Sequence, residues 1–335
     1  MPEFELPLEE LKTYRGLNPR PPDFDAYWER ALSELSRINP DTQLVEHASP
    51  AHFADAFDLW FTGVGGARIH AQCLKPRSSG PHPAVLKFHG YTGNAGDWFD
   101  KLAWAAQGFV VAAMDVRGQG GLSEDVGGES GTTLGGHIVR GLSDRDPDKL
   151  LFRQIFLDTV QLARLVMDWE DVDSDRVVAT GWSQGGGLTL ACAALEPRIA
   201  MAAPVYPFLS DYLRVWQMDL ARDAYEGLTY YFKRFDPTHQ LENEAFTRLG
   251  YIDVQHLANR IRAHVLMGTG LMDTICPPST QFAIYNKITS RKEMVLYPDF
   301  GHEELPGHND RIFEFLSSVV ASGITDQGSS KTTGD

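Results

Sequence analysis

Residues 176–190 read "RVVATGWSQGGGLTL", and their reading decides the fold. An apolar, β-branched run ends at Thr180. Gly181-Trp182-Ser183-Gln184-Gly185 follows, then two more glycines and the apolar stretch Leu188-Thr189-Leu190-Ala191. The run before the glycines suits a strand and the stretch after them a helix, so the glycines mark a sharp turn between the two. Such a turn lifts a serine hydroxyl clear of the sheet, and glycines on either side remove Cβ atoms that would collide where the backbone doubles back. The alternative is a flexible glycine loop that contains a serine by chance. G-x-S-x-G alone is a weak signal in a chain with 31 glycines; the strand and helix on its flanks make it specific.

Outward from the turn, short and nearly unbroken apolar runs recur: "AVLKFHG" (84–90), "FVVAAMDVRG" (109–118), "MAAPVYP" (201–207), "AHVLMGTG" (263–270) and "EMVLYP" (293–298). Continuous rather than alternating hydrophobicity fits strands covered on both faces. Helical patterns fall between several of them, at "FDKLAWAAQG" (99–108), "FRQIFLDTVQLARLVMDW" (152–169) and "GGLTLACAALEP" (186–197), and "NDRIFEFLSSVV" (309–320) reads as a closing helix. This alternation predicts an α/β fold with a doubly wound, mostly parallel sheet and helices on both faces. Before it, "PPDFDAYWERALSELSR" (21–37) predicts a helix and "FDLWFTGVGGARIHAQCLKP" (57–76) a hairpin around Gly65-Gly66. The expected organisation is an arm and helix over 1–40, one catalytic α/β domain over 41–322 and a flexible tail over 323–335. Segments 118–151 and 207–260 exceed ordinary connections and are expected to cover a site or build a subunit interface.

Composition bounds the partners. The formal net charge is −15 and 43% of residues are hydrophobic, which fits a globular chain and argues against nucleic acid or anionic membrane surfaces as partners. The N-terminus lacks the basic-then-apolar layout of a secretory leader, and no apolar run nears the roughly 18 residues of a membrane span. Three scattered cysteines make no disulfide framework, so a reduced, cytoplasmic location is expected.

A serine hydroxyl needs a base within reach, and the base needs an orienter. Folds built on this turn bring them in the order serine, acid, histidine. Asp273 lies just past the strand at 263–270 and His302 just past the strand at 293–298, where open α/β sheets gather catalytic groups. Each has a rival. Asp273 also reads as a turn residue or helix cap, and Asp299 is a second acid on the histidine's own loop. His308 is a second base, placed where the closing helix begins, and His89 comes too early in the chain. For the oxyanion, the donors expected are the backbone N–H of Gln184 and that of Tyr91 in "HGYTG" (89–93), a stretch that also reads as a plain turn. "HEELPGH" (302–308) is no zinc motif, because Pro306 stands where H-E-x-x-H needs histidine. No metal or cofactor is expected. Arg117, in "DVRGQGG", reads equally as a loop clamp or a surface arginine. Trp182 and Trp98 are candidates for lining the site.

"RGQ" (117–119), "GWSQGG" (181–186) and "HE" (302–303), in that order and spacing, resemble carbohydrate esterase family 7. So do "HGYTGNAGDW", "GLMDTICPPSTQFAIYNKI" and the opening "RPPDFDAYWERALSEL"; the likeness runs to about residue 320. The resemblance implies an α/β-hydrolase fold and removal of acetyl groups from small acetylated substrates, sugar esters and cephalosporin C among them. It implies Ser183, Asp273 and His302 as the triad, Tyr91 and Gln184 as oxyanion donors, and a site-shaping role for Arg117, Gln119 and Glu303. It further implies a cytoplasmic homo-hexamer whose sites face an internal cavity. Rival readings are a peptidase of the prolyl-oligopeptidase type, a lipase, a broad small-acyl carboxylesterase and a catalytically idle scaffold on the same fold.

Overall fold

The computed structural model describes residues 5–48, 51–127 and 137–322. Among the described residues nine strands form one sheet: β1 (Gln43–His47), β2 (Ala54–Thr62), β3 (Arg68–Pro76), β4 (His82–Phe88), β5 (Val110–Met114), β6 (Val172–Trp182), β7 (Met201–Val205), β8 (His264–Gly270) and β9 (Lys292–Tyr297). Their spatial order is β1-β2-β3-β5-β4-β6-β7-β8-β9. The pairs from β1 to β5 are antiparallel, whereas β5-β4-β6-β7-β8-β9 is parallel throughout. The apolar runs read from the sequence are these parallel strands, and the hairpin is β2–β3. β1 was not foreseen, for a physical reason: it is an edge strand with every residue exposed, so it carries no burial pattern.

Helices cover both faces. On one side the helices Phe24–Leu35, Leu151–Met167 and Gln184–Leu195 pack with the sheet around Trp28, Phe156 and Leu190. On the other, Leu102–Ala106 and His308–Ser322 close over Trp104, Phe109, Ile312 and Leu316. The Gln184–Leu195 helix is buried all round, which suits its sequence of small and apolar residues without a polar face. Segment 207–260 folds into helices, including Tyr212–Gln217, Glu226–Phe235 and Glu242–Leu249, whose Tyr212, Tyr231 and Phe246 join the larger core. Segment 118–151 contributes short turns at His137–Val139 and Pro147–Lys149; its residues 128–136 and the tail 323–335 lie outside the described residues.

The strand order matters for function. From β4 the chain crosses to β5 on one side; β6 lies on β4's other side and leads away to β7. The crevice beyond the carboxyl ends of β4 and β6 is therefore the topological switch point, where ligands bind in open α/β sheets. Phe88 and Gly181 are paired across these two ends, so the segments that follow them emerge side by side.

Candidate active site

Ser183 occupies the turn after β6 with φ 55° and ψ −120°, a left-handed conformation that costs a residue with a Cβ about 1–3 kcal/mol. Its surroundings enforce it: the Ser183 N–H donates to the Val205 carbonyl at 2.9 Å, and its own carbonyl accepts from the Phe208 N–H at 3.0 Å. The flanking glycines are a steric requirement. A Cβ on Gly181 would stand 2.5 Å from the Phe88 carbonyl oxygen, and one on Gly185 would overlap that same oxygen.

His302 Nε2 lies 3.0 Å from Ser183 Oγ, and its Nδ1 lies 2.8 Å from Asp273 Oδ2. Asp273 is fully buried, and its second oxygen accepts from the Ile275 and Cys276 N–H groups at 2.9 and 2.8 Å. The two sequence readings of Asp273 are therefore not exclusive: one oxygen caps the turn and the other meets the imidazole. The rivals are committed elsewhere or exposed. Asp299 is exposed. His308 is buried, held at about 4 by desolvation beside Arg311, with its Nδ1 3.3 Å from the Tyr297 hydroxyl. His89 donates from Nδ1 to the Gly90 carbonyl at 2.7 Å and accepts at Nε2 from the Val116 N–H at 3.0 Å.

Tyr91 follows β4, and among the described residues its N–H has no hydrogen-bond partner; its hydroxyl accepts from the His137 N–H at 2.8 Å. Gln184 opens its helix, so its N–H belongs to the first turn, which has no carbonyl behind it. Gln119 ties these two neighbourhoods together. Its carbonyl accepts from the Thr92 N–H at 2.8 Å and from Gln184 Nε2 at 3.0 Å, while its amide donates to Gln184 Oε1 at 2.7 Å. Arg117 is a buried clamp, not a surface arginine: it makes a two-pronged pair with Asp158 at 2.6 and 2.7 Å and donates to Gln154 at 2.7 Å. Burial pushes the Asp158 carboxyl up although Arg117 pulls it down. Glu303 is exposed, accepts from the Gly301 N–H at 3.1 Å and lines the cleft.

A second buried group fixes the loops on which these donors stand. Asp115 accepts from the Ala95 N–H at 2.6 Å and the Leu122 N–H at 2.8 Å, and pairs with His70 Nδ1 at 2.7 Å; His70 Nε2 reaches Asp58 at 3.0 Å. Burial works against the charges, but the bonds outweigh it, so the Asp115 carboxyl is lowered and the His70 imidazole raised.

Two neighbours of the triad escaped the sequence reading. The Tyr206 ring packs on the His302 ring, centroids 4.6 Å apart, and the buried Cys276 thiol stands beside Asp273 and His302, its pKa pushed well up by desolvation. Asp273, Cys276 and His302 present possible metal-ligand atoms within 4.8 Å of one another. The carboxylate and imidazole are bonded to each other, though, and the imidazole also to the serine, while the thiol is held protonated. The donor set suits proton transfer better than metal binding. A cleft of about 1050 Å³ opens beside the triad, with Gly90, Tyr91, Trp182, Tyr206 and His302 on its walls. Trp182 lines it as foreseen. Trp98 does not; it stacks on His47 of β1 at 4.6 Å.

The profile of the acetyl xylan esterase family (AXE1) matches residues 1–319. Acetyl xylan esterase 1 from Thermoanaerobacterium sp. JW/SL YS485 is 57% identical and superposes with a TM-score of 0.93 over 94% of this chain and 99% of that one. An acetyl xylan esterase from Paenibacillus sp. R4 is 34% identical, with a TM-score of 0.89 over 93% and 99%. The acetyl esterase Axe7A of Xylanibacter ruminicola is 28% identical over 302 residues, 87% of this chain; the match spans 64% of that protein's length. No helix among the described residues is long and apolar enough to cross a membrane. With the family profile matched along almost the whole sequence and the sheet of its solved relatives reproduced, the chain belongs to the acetyl xylan esterase family, carboxylic ester hydrolases of the α/β-hydrolase fold.

Proposed function

We propose that this chain is a serine esterase that removes acetyl groups from sugar hydroxyls, such as those of acetylated xylo-oligosaccharides, and from small acetates such as cephalosporin C. The observation that carries the reading is the unbroken series Asp273–His302–Ser183, bonded at 2.8 and 3.0 Å, with His302 and the neighbouring Trp182 on the wall of a cleft. His302 Nε2 takes the hydroxyl proton as Ser183 Oγ attacks the acetyl carbonyl. The N–H groups of Tyr91 and Gln184 receive the oxyanion; one such donor is worth about 10²–10³ in rate. His302 then protonates the departing sugar oxygen, leaving acetyl on Ser183, and afterwards deprotonates the water that releases acetate. Asp273 stays ionised and keeps the imidazole in the tautomer that offers Nε2 to the serine. All of this uses side chains and backbone alone. The proposal includes a cytoplasmic homo-hexamer, in keeping with three buried free cysteines.

Initial rates on acetyl and butyryl aryl esters, with Ser183→Ala as control, test it. Strong preference for acetyl and a fall of at least about 10⁴-fold in the variant are expected. Equal turnover of the two esters would favour a broad small-acyl carboxylesterase, and no turnover at all would favour an idle scaffold.

A further inference from the structure

Trp182 ends β6, one residue before the nucleophile, and 53% of its surface is exposed. An indole so placed is normally tucked into a core. This one is held in the open. The far edge of its ring lies over Gly90, where a Cβ would stand 2.7 to 3.0 Å from three of its carbons. Tyr206 meets it edge to face, centroids 6.5 Å apart, and Tyr206 in turn packs on His302. An aromatic wall therefore runs from Trp182 through Tyr206 to His302 along the cleft.

Chemistry says which half of a substrate meets this wall. The acyl carbonyl must point at the Tyr91 and Gln184 N–H groups, while the leaving oxygen must lie where His302 Nε2 can protonate it. The alcohol half thus lies on the His302 side. The cleft volume of about 1050 Å³ matches a whole small-molecule site, far beyond what an acetyl group fills. Its spare room belongs to the alcohol. A pyranose ring presents one face of slightly positive C–H bonds, the complement of the negative face of an indole, and its hydroxyls need polar partners at the rim. Glu303 and Asn94 stand there on the cleft lining.

We infer that Trp182 is a specificity-determining residue, its open face the platform on which the sugar ring of the alcohol half packs, with Glu303 and Asn94 as partners for the hydroxyls. The inference rests on the acetyl-sugar reading above and names the element that recognises the sugar.

The experiment compares kcat and KM of wild type, Trp182→Ala and Trp182→Phe on acetylated xylobiose and on ethyl acetate, which has no ring to stack. Trp182→Ala is expected to raise KM for the sugar ester about tenfold, the size of a lost stacking contact, with a clearly smaller change on ethyl acetate and Trp182→Phe recovering most of the loss. Equal losses on both esters would overturn the inference and make Trp182 a support for the Gly90 loop; an unchanged sugar KM would overturn it outright. If wild type cleaves ethyl acetate and not acetylated xylobiose, the acetyl-sugar reading itself fails and takes the platform with it, a separate result. Should Trp182→Ala fail to fold, competitive inhibition by xylobiose is measured on wild type and Trp182→Leu instead, leucine having no aromatic face: a stronger hold in wild type supports the platform, and equal inhibition removes it.

Discussion

At Asp273 one carboxylate oxygen faces the His302 ring and the other takes two backbone N–H groups. Replacing it with Asn keeps an oxygen for the turn but sets an N–H against the imidazole, forcing the proton from Nδ1 to Nε2, where it blocks the serine. Asp273→Asn is therefore expected to fold with a near-native melting temperature while kcat on an aryl acetate falls by about 10⁴; a loss under tenfold would remove Asp273 from its proposed role. The three positions of the proposed triad are suggested by the sequence because each follows a strand and strand ends obey a positional rule. Tyr206 also follows a strand, β7, but a tyrosine there has no place in the serine, acid, histidine order, and Cys276 lies beyond the Asp273 turn. Tyr206 reaches His302 from a backbone with φ 29°, and Cys276 is brought beside Asp273 and His302 by the turn in which its own N–H donates to Asp273. Trp98 shows the converse error: an aromatic near a catalytic loop in sequence was drawn away by stacking on His47.

Among elements, what could be read and what could not divides by burial. The inner strands of the parallel half, such as β5 and β7, are buried along their length and declare themselves as apolar runs; β1, exposed along its length, has no such mark. The loops after β4 and β5 were recognised by their residues, but the hub that holds them was not, since His70, Asp58 and Asp115 lie on three different strands or strand ends. His70 has a raised pKa on folding, facing the carboxylates of Asp115 and Asp58. A raised group contributes stability that is complete below the ordinary imidazole value of 6.5 and is lost as pH climbs through its folded value. Asp115, lowered, contributes above its ordinary 3.8. His70→Gln should thus depress the melting temperature more at pH 6 than at pH 9, each kcal/mol of coupling moving it by about 2 °C. A depression independent of pH would mean that His70 sits neutral in the hub.

The whole molecule carries a formal charge of −15 and yet leaves apolar side chains in the open: Phe99 at 79% exposure, Leu122 at 62% and, on the unpaired edge of the sheet, Val45 at 47%. Open edges and exposed apolar groups invite contact between copies, as the proposed hexamer requires. Light scattering on the purified chain is expected to give six times the monomer mass, and a monomer would end the internal-cavity proposal. The sequence could not settle this, because segments 118–151 and 207–260 were long enough for interfaces, whereas the second is largely consumed by the core of its own domain. Ser183, Asp273 and His302 leave β6, β8 and β9, and β9 is the outermost strand on its side of the sheet. During synthesis the nucleophile leaves the ribosome 119 residues ahead of its base. On the proposed roles, a nascent chain carries a serine that cannot react, and the cell meets the activity only when the last strand has docked.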